Sequence, residues 1–455
     1  MKRFLAIALS ILMLCALLAA CGDTAPANDA TPAPAADSAD DGSGDSAASD
    51  GEAAVTDSDD VVIKAVHPGN AETFFGLYEE IIRNFEAENP GVRVEFESYP
   101  EGYDEVLMTL FAAGDAPDVI RTHAQDLGSR VKSGMLAPIT TYFDSAGFGE
   151  DLIDVAVARY EDDIYFVDPY FAVLVLYFNK DIFDDAGVAY PTNDWTWQDL
   201  LDAANALTAG SGDNATQFGY LNDWHNRLWM CYYWSQGQSL FDDDTSPTAI
   251  AFDNQTALDG IRLVADLASS AVGIATEATG TISATDYFTN GMVGMQIDGS
   301  WMINVFAEMD DLNFGVALVP RGSSGHGGMS VSAGETMSTA TNHPNEAWEY
   351  IKTTFNVESS LLFSGFGDQQ TANGVPVWFS AYEDPRWNPS DNILMVGEQA
   401  QVTTNAQPPF QYAARWMWDI MLPTFQEMIA DDLSDRATLD LLITRTQRDI
   451  LDEMD

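Results

Sequence analysis

Residues able to make and break bonds are present in this chain, but none is spaced for it. The five histidines, His67, His123, His225, His326 and His343, include no His-x-x-x-His pair and no other zinc spacing. No Gly-x-Ser-x-Gly turn exposes a nucleophilic serine, and there is no phosphate loop. Gly210-Ser211-Gly212 follows a helical pattern rather than a strand, which excludes a dinucleotide loop. Asp242-Asp243-Asp244 carries oxygen ligands of the kind calcium takes, yet lacks the spacing of a calcium loop and reads as a solvated turn. With 71 Asp and Glu, finding a carboxylate pair is uninformative. A secreted glycoside hydrolase stays open only because its two acids need no local motif. No catalytic residue, metal ligand or cofactor is assigned, and the expectation is a protein that is not an enzyme.

Composition narrows the partners. Against those 71 acids stand 19 Lys and Arg, a formal net charge of −52. Such a field repels nucleic acid and anionic lipid headgroups and disfavours an anionic solute unless a local patch overrides it. The 455 residues suit two lobes of ordinary domain size. Of the three cysteines, Cys15 lies in the leader and Cys21 has a separate use. Cys231 is left without a partner, so there is no disulfide framework.

The compartment is written in the first residues. Lys2 and Arg3 form a basic n-region, and Phe4 to Leu18 is an apolar run too short to span a bilayer comfortably. It ends in Leu18-Ala19-Ala20-Cys21-Gly22, which resembles a bacterial lipobox: cleavage precedes Cys21, whose thiol receives a diacylglycerol. The alternatives are an ordinary signal peptide cut after Ala20 and an uncleaved anchor. Gly22 to Asp60 holds eleven acids, no base and no apolar periodicity, so it cannot build a core and is expected to be disordered. As a tether its 39 residues span on the order of 35 Å. The expected layout is a signal peptide over 1–20, a lipidated cysteine and acidic tether over 21–60, and a body held at the cell surface outside the cytoplasmic membrane.

Regular elements begin at Val61. Val61 to Val66 reads as a buried strand, and Phe74, Phe75, Leu77, Tyr78, Ile81, Ile82 and Phe85 recur at helical spacing until Asn89-Pro90-Gly91 stops the helix. Val92, Val94 and Phe96 alternate with Arg93, Glu95 and Glu97, the pattern of a half-buried strand. A second helix carries Tyr103, Val106, Leu107, Leu110 and Phe111 and ends at Gly114, and Val119-Ile120 is the next strand. Strand, helix, strand, helix, strand implies a parallel sheet covered by helices, with ligands beyond the carboxyl ends of its strands. Further on, Thr196 with Asp199 three residues later reads as the cap of a helix carrying Leu200, Leu201, Ala204 and Leu207.

Several of these stretches resemble a known family. Phe85-Glu86-Ala87-Glu88-Asn89-Pro90-Gly91-Val92 and Ala112-Ala113-Gly114-Asp115-Ala116-Pro117-Asp118-Val119-Ile120 are similar to the opening of the extracellular solute-binding proteins of family 1. These are the sugar-capture subunits of ATP-driven importers, and the maltose-binding protein is a relative. Leu176 to Gly187, Pro191 with Trp195 to Leu200, Phe288 to Met295 and Gly299-Ser300-Trp301 follow in the family's order. One departure stands out: Asp162-Asp163 replaces the usual Asp-Gly, and Asp168-Pro169 ends the following stretch, which implies a different turn near Asp163. The resemblance implies an α/β, type II periplasmic-binding-protein fold. Its two hinged lobes are each a sheet flanked by helices, with a ligand cleft between. Residues 61–172 with 321–377 are expected to form the N-terminal lobe, and 173–320 with 378–455 the C-terminal lobe. The crossings are placed near Phe171–Leu176, Gly315–Pro320 and Val375–Phe379.

It also implies a function and a site. The expected ligand is a carbohydrate, probed by aromatic faces and polar side chains and delivered by a monomeric protein to permease subunits of an ABC transporter. The membrane is touched only through the lipid. A peptide or cationic solute on the same fold is the alternative. Trp301 is the leading stacking candidate, and one of Trp416 and Trp418 a second. Asp223, Trp224 and Trp229 lie in a segment where relatives contact ligand, though Trp229 and Trp234 sit among core-like tyrosines. In the first lobe, His123 and Asp126 follow the Val119-Ile120 strand. Glu72 lies in the turn after the first strand, and Tyr170 and Phe366 are rim candidates.

Overall fold

The computed structural model describes residues 60–68, 71–99, 102–210, 215–221, 225–269, 273–274, 284–309, 311–365 and 373–454. The leader, Cys21 and the acidic tether lie outside them, as do Asp223, Trp224 and Phe366. Among the described residues no helix is long and apolar enough to cross a membrane.

The first sheet is built by the alternation seen in the sequence. Strand β1 (Val61–Pro68) pairs in parallel with β2 (Val92–Tyr99) and with β3 (Val119–His123). Helices α1 (Ala71–Glu88) and α2 (Tyr103–Ala113) make the crossovers. Gly91 and Gly114 adopt positive φ at the ends of these helices, where a side chain would be strained. Strand β2 forms the sheet edge and keeps Arg93, Glu95 and Glu97 exposed, which discourages edge-to-edge pairing. The sheet is mixed, not wholly parallel. Beyond β3 lies β12 (Ala333–Ser338), antiparallel both to β3 and to the short β4 (Leu136–Ala137). Local pattern cannot announce such a strand, because it returns from more than two hundred residues away.

Strands β5 (Val157–Tyr160) and β6 (Asp163–Val167) form a hairpin whose two-residue turn is Glu161-Asp162. Glu161 takes φ +54°, a conformation usually left to glycine. The Glu161 carboxylate in this turn meets Lys132 at 2.9 Å.

The second sheet has the order β11-β7-β10-β8-β9. It comprises β7 (Leu174–Asn179), β8 (Phe218–Leu221), β9 (Gly273–Ile274), β10 (Val293–Gly299) and β11 (Phe314–Ala317). Every residue of β7 and β10 is buried, as expected where helices cover both faces. The Thr196–Asp199 capping box forms and opens the helix Trp197–Leu207. The core of this lobe joins Trp229, Trp416, Phe252, Phe410 and Phe425. The chain passes between the sheets at 168–173, returns between Ala317 and Ala333, and passes again beyond Gly374. Single bridges tie these passages together: Phe171 to Val375, Val173 to Ser330, and Ser330 to Ala406.

Candidate binding cleft

A cleft of ≈ 360 Å³ opens beside these passages, lined by residues of both lobes. On the first-lobe side, His67 and Pro68 end β1, Arg121 and His123 end β3, and Gln125 begins helix α3 (Ala124–Lys132). This is the carboxyl edge of the sheet, where side chains are positioned by strands but backbone pairing has stopped.

Behind this wall lies a buried ionic cluster. Strand pairing puts Glu335 directly opposite Arg121, and the two side chains meet at 2.9 Å. The Tyr78 hydroxyl donates to the same carboxylate oxygen at 2.7 Å, and Thr354 donates to the other at 3.1 Å. Arg121 also donates to the Tyr78 hydroxyl oxygen at 2.8 Å, and His67 Nε2 lies 3.3 Å from Glu335. Burial pushes the Glu335 carboxyl up, but the Arg121 charge and the hydrogen bonds from Tyr78 and Arg121 outweigh it and the net direction is down, so Glu335 is ionised. Burial drives His67 down to about 3, leaving a neutral ring stacked edge-on against Tyr78. In His123 burial, then Arg121, Arg130 and Arg227, lower the pKa, so it too is neutral near pH 7. Tyr170 completes this side.

The second-lobe side presents Trp301, Arg227 and Gln407. Trp301 follows β10 directly. A Cβ on Gly299 would stand 2.2 Å from the Trp301 ring, so the Gly-Ser-Trp order lets the indole fold back over its own strand. Ser300 fixes the turn by donating to the Asn373 carbonyl at 2.6 Å. Burial lowers Arg227 to about 10 against the opposing pull of Asp298, and it stays protonated at neutral pH. Its guanidinium lies 5.2 Å over the Trp418 ring. Between the lobes, Asp168 is buried on the first passage, held by Ser332 Oγ at 2.7 and 2.8 Å. Burial pushes its carboxyl up to about 8.

The expected site residues therefore divide. Trp301, His123 and Tyr170 line the cleft. Trp418 is half-buried behind Arg227 rather than on the wall. Two expectations are corrected: Trp416 and Trp229 are wholly buried in the second-lobe core. Trp416 donates to Thr446 Oγ1 at 3.0 Å and Trp229 to the Ala257 carbonyl at 3.1 Å, so each indole is already satisfied inside the lobe. Trp234 also packs against that core. Asp126 faces a separate hollow with Arg130, not the cleft, and burial raises its carboxyl to about 6. Glu72 falls in the first turn of α1, with its side chain outside the described residues. Sequence reasoning missed His67, Tyr78, Arg121, Arg227, Glu335 and Gln407. Arg121 carried a usable signal, a rare base at the end of a predicted strand.

Chemically, the arrangement sets an aromatic face opposite fixed hydrogen-bonding groups, with both histidines neutral. It suits noncovalent capture of a polar solute.

Comparison with known proteins gives the same direction. The family model described as bacterial extracellular solute-binding protein matches residues 69–357. A Brucella abortus protein named only as a binding protein is 26% identical over 300 residues, covering 63% of this chain and 70% of its own. The sn-glycerol-3-phosphate-binding periplasmic protein UgpB of Shigella dysenteriae is 25% identical over 263 residues, 53% of this chain and 57% of its own. Among solved structures, the Listeria monocytogenes ABC substrate-binding protein Lmo0181, in complex with cycloalternan, superposes with a TM-score of 0.74. It is 21% identical and covers 86% of this chain and 99% of its own, a likeness that establishes the two-lobe fold. With more than half its length matched by the family model, this chain belongs to the bacterial extracellular solute-binding proteins.

Proposed function

We propose that the protein captures a carbohydrate outside the cytoplasmic membrane and delivers it intact to the permease of an ABC importer. The observation that carries this reading is Trp301, held on one wall of the cleft opposite Arg121, His123 and Gln125. An indole buries the C–H face of a sugar ring while the polar wall bonds its hydroxyls. Cycloalternan in the Listeria relative supports the ligand class. The protein acts as a monomer without catalytic activity. Residues 61–172 with 321–377 form one lobe and 173–320 with 378–455 the other. The basic n-region, the apolar run and Cys21 support a lipid anchor, with 21–60 as tether.

The test is thermal unfolding of the full-length chain against cycloalternan, maltotriose, mannobiose, glycerol 3-phosphate and spermidine. A solute that binds only the folded form raises Tm with concentration. A rise with a saccharide that is recovered unchanged is the expected result. A rise with none of the saccharides defeats the carbohydrate reading.

One observation favours a second reading, a polyol phosphate. Among the described lining residues the formally charged side chains are Arg121 and Arg227, with no carboxylate, in a chain of net charge −52. The UgpB relative is named for such a ligand. The same arginines weigh against a cationic solute.

A further inference from the structure

One edge of the cleft is closed by a contact narrower than a side chain. Helix α3 belongs to the first lobe: Leu127 is buried in its core, and Arg130 is fixed by Asp104 at 2.7 Å and Thr122 at 3.0 Å. Opposite it runs the segment 405–413 of the second lobe, whose Phe410 and Ala413 are buried in the other core. The two halves must part whenever the lobes do. At the contact Gly128 meets bare backbone. A Cβ there would stand 2.5 Å from the Pro409 carbonyl oxygen and 2.6 Å from the Phe410 carbonyl carbon, where ordinary contact begins at 3.4 Å. One turn earlier, Gln407 Nε2 donates to Gln125 Oε1 at 2.9 Å, joining the lobes across the cleft.

Gln407 is 2% exposed and lines the cleft, and its Oε1 is buried without a hydrogen-bond partner in the protein. Turning both amides over exchanges donor for acceptor but still leaves one polar atom of Gln407 unsatisfied. A buried polar atom of this kind costs free energy until something bonds it.

We propose that Gly128 and the Gln125–Gln407 bridge form the closing contact of the cleft, and that the second amide atom of Gln407 bonds the captured solute, so that one side chain both reads the solute and latches the lobes. The solute half of this rests on the capture reading above; the closing contact does not. Glycine at 128 is required by approach, not by dihedral, since the residue lies in a helix without positive φ.

The experiment uses the full-length chain with Gly128→Ala, Gly128→Val and Gln407→Leu. Alanine and valine at 128 hold the lobes apart. Amide hydrogen exchange in 405–413 should rise on the order of tenfold, with the β7 strand Leu174–Asn179 unchanged. Alanine favours a helix over glycine, so the Tm of Gly128→Ala should not fall. Gln407→Leu should lose on the order of tenfold in affinity for whichever of cycloalternan, maltotriose, mannobiose or glycerol 3-phosphate binds the wild type, with Tm unchanged. Wild-type exchange rates in both Gly128 variants overturn the closing contact. Wild-type affinity in Gln407→Leu overturns its role in reading the solute. If none of the four solutes binds the wild type, the capture reading and the Gln407 role fall together, while the exchange measurement still decides the contact.

Discussion

The two walls of the cleft are built on opposite principles. The first-lobe wall is backed by buried charge: Glu335, 1% exposed, holds Arg121, Tyr78 and Thr354 in fixed positions. The second-lobe wall rests on packing, with Trp301 laid over Gly299 and against both hydrophobic cores. A buried ion pair is a poor source of net stability but strongly constrains geometry once every partner is in place. A ring on a packed surface gives contact area without ordering many torsions. On the proposed carbohydrate reading, the first lobe would orient solute hydroxyls and the second would supply most of the apolar contact.

Two substitutions separate packing from binding within the second lobe. Trp416→Ala should cost about 3–5 kcal/mol of stability by denaturant titration. Its affinity per folded molecule should be unchanged, because the ring is wholly buried. Trp301→Ala should lose affinity with a smaller loss of stability, since its ring is only partly buried against the cores, and if both variants lose affinity equally, the distinction between core and wall collapses.

Glu335→Gln tests the first wall. It leaves the Arg121 guanidinium buried without its counter-charge and should cost about 3 kcal/mol of stability, together with weaker solute binding. A stable variant of normal affinity would show that the cluster positions nothing.

Trp301→Ala should weaken binding of a stacking saccharide by about 2–3 kcal/mol, on the order of a hundredfold, by calorimetry. Gly299→Ala sharpens the point. It keeps the indole but denies it its seat, and should lose most of the same affinity.

The smallest effect is a pH slope. Asp168 has a folded pKa of about 8 against an ordinary 3.8, so its contribution is full below pH 3.8 and lost as pH rises towards 8. His67, at about 3 against 6.5, acts in the opposite sense: its contribution is present above pH 6.5 and lost as pH falls towards 3. The two oppose each other between about pH 4 and 6.5. Above that range Asp168 acts alone of the pair, and stability should fall between pH 6.5 and 8 by at most about 1.4 kcal/mol per pH unit. Asp168→Asn should flatten that decline in urea titrations, and an unchanged slope would remove Asp168 from the account.

Much of the fold was legible because its signals are local. The Thr196–Asp199 capping box, the Gly91 and Gly114 turns and the alternation of Val92, Val94 and Phe96 act within a few residues, where sequence and conformation are nearly the same information. The partition of the tryptophans was not legible. Trp301, Trp416 and Trp229 are alike in type and stand in equally apolar stretches; only the packing of distant helices decides which ring reaches the cleft.

By itself the sequence determined an acidic, two-lobed α/β chain of the solute-binding kind, together with most of the elements of its first sheet. The tertiary structure alone decided the site. Glu335 reaches Arg121 because β12 inserts antiparallel beside β3 across a separation of 214 residues, and Gln407 reaches Gln125 across 282. Pairings of that range depend on how the whole chain closes, and no periodicity along the sequence encodes them.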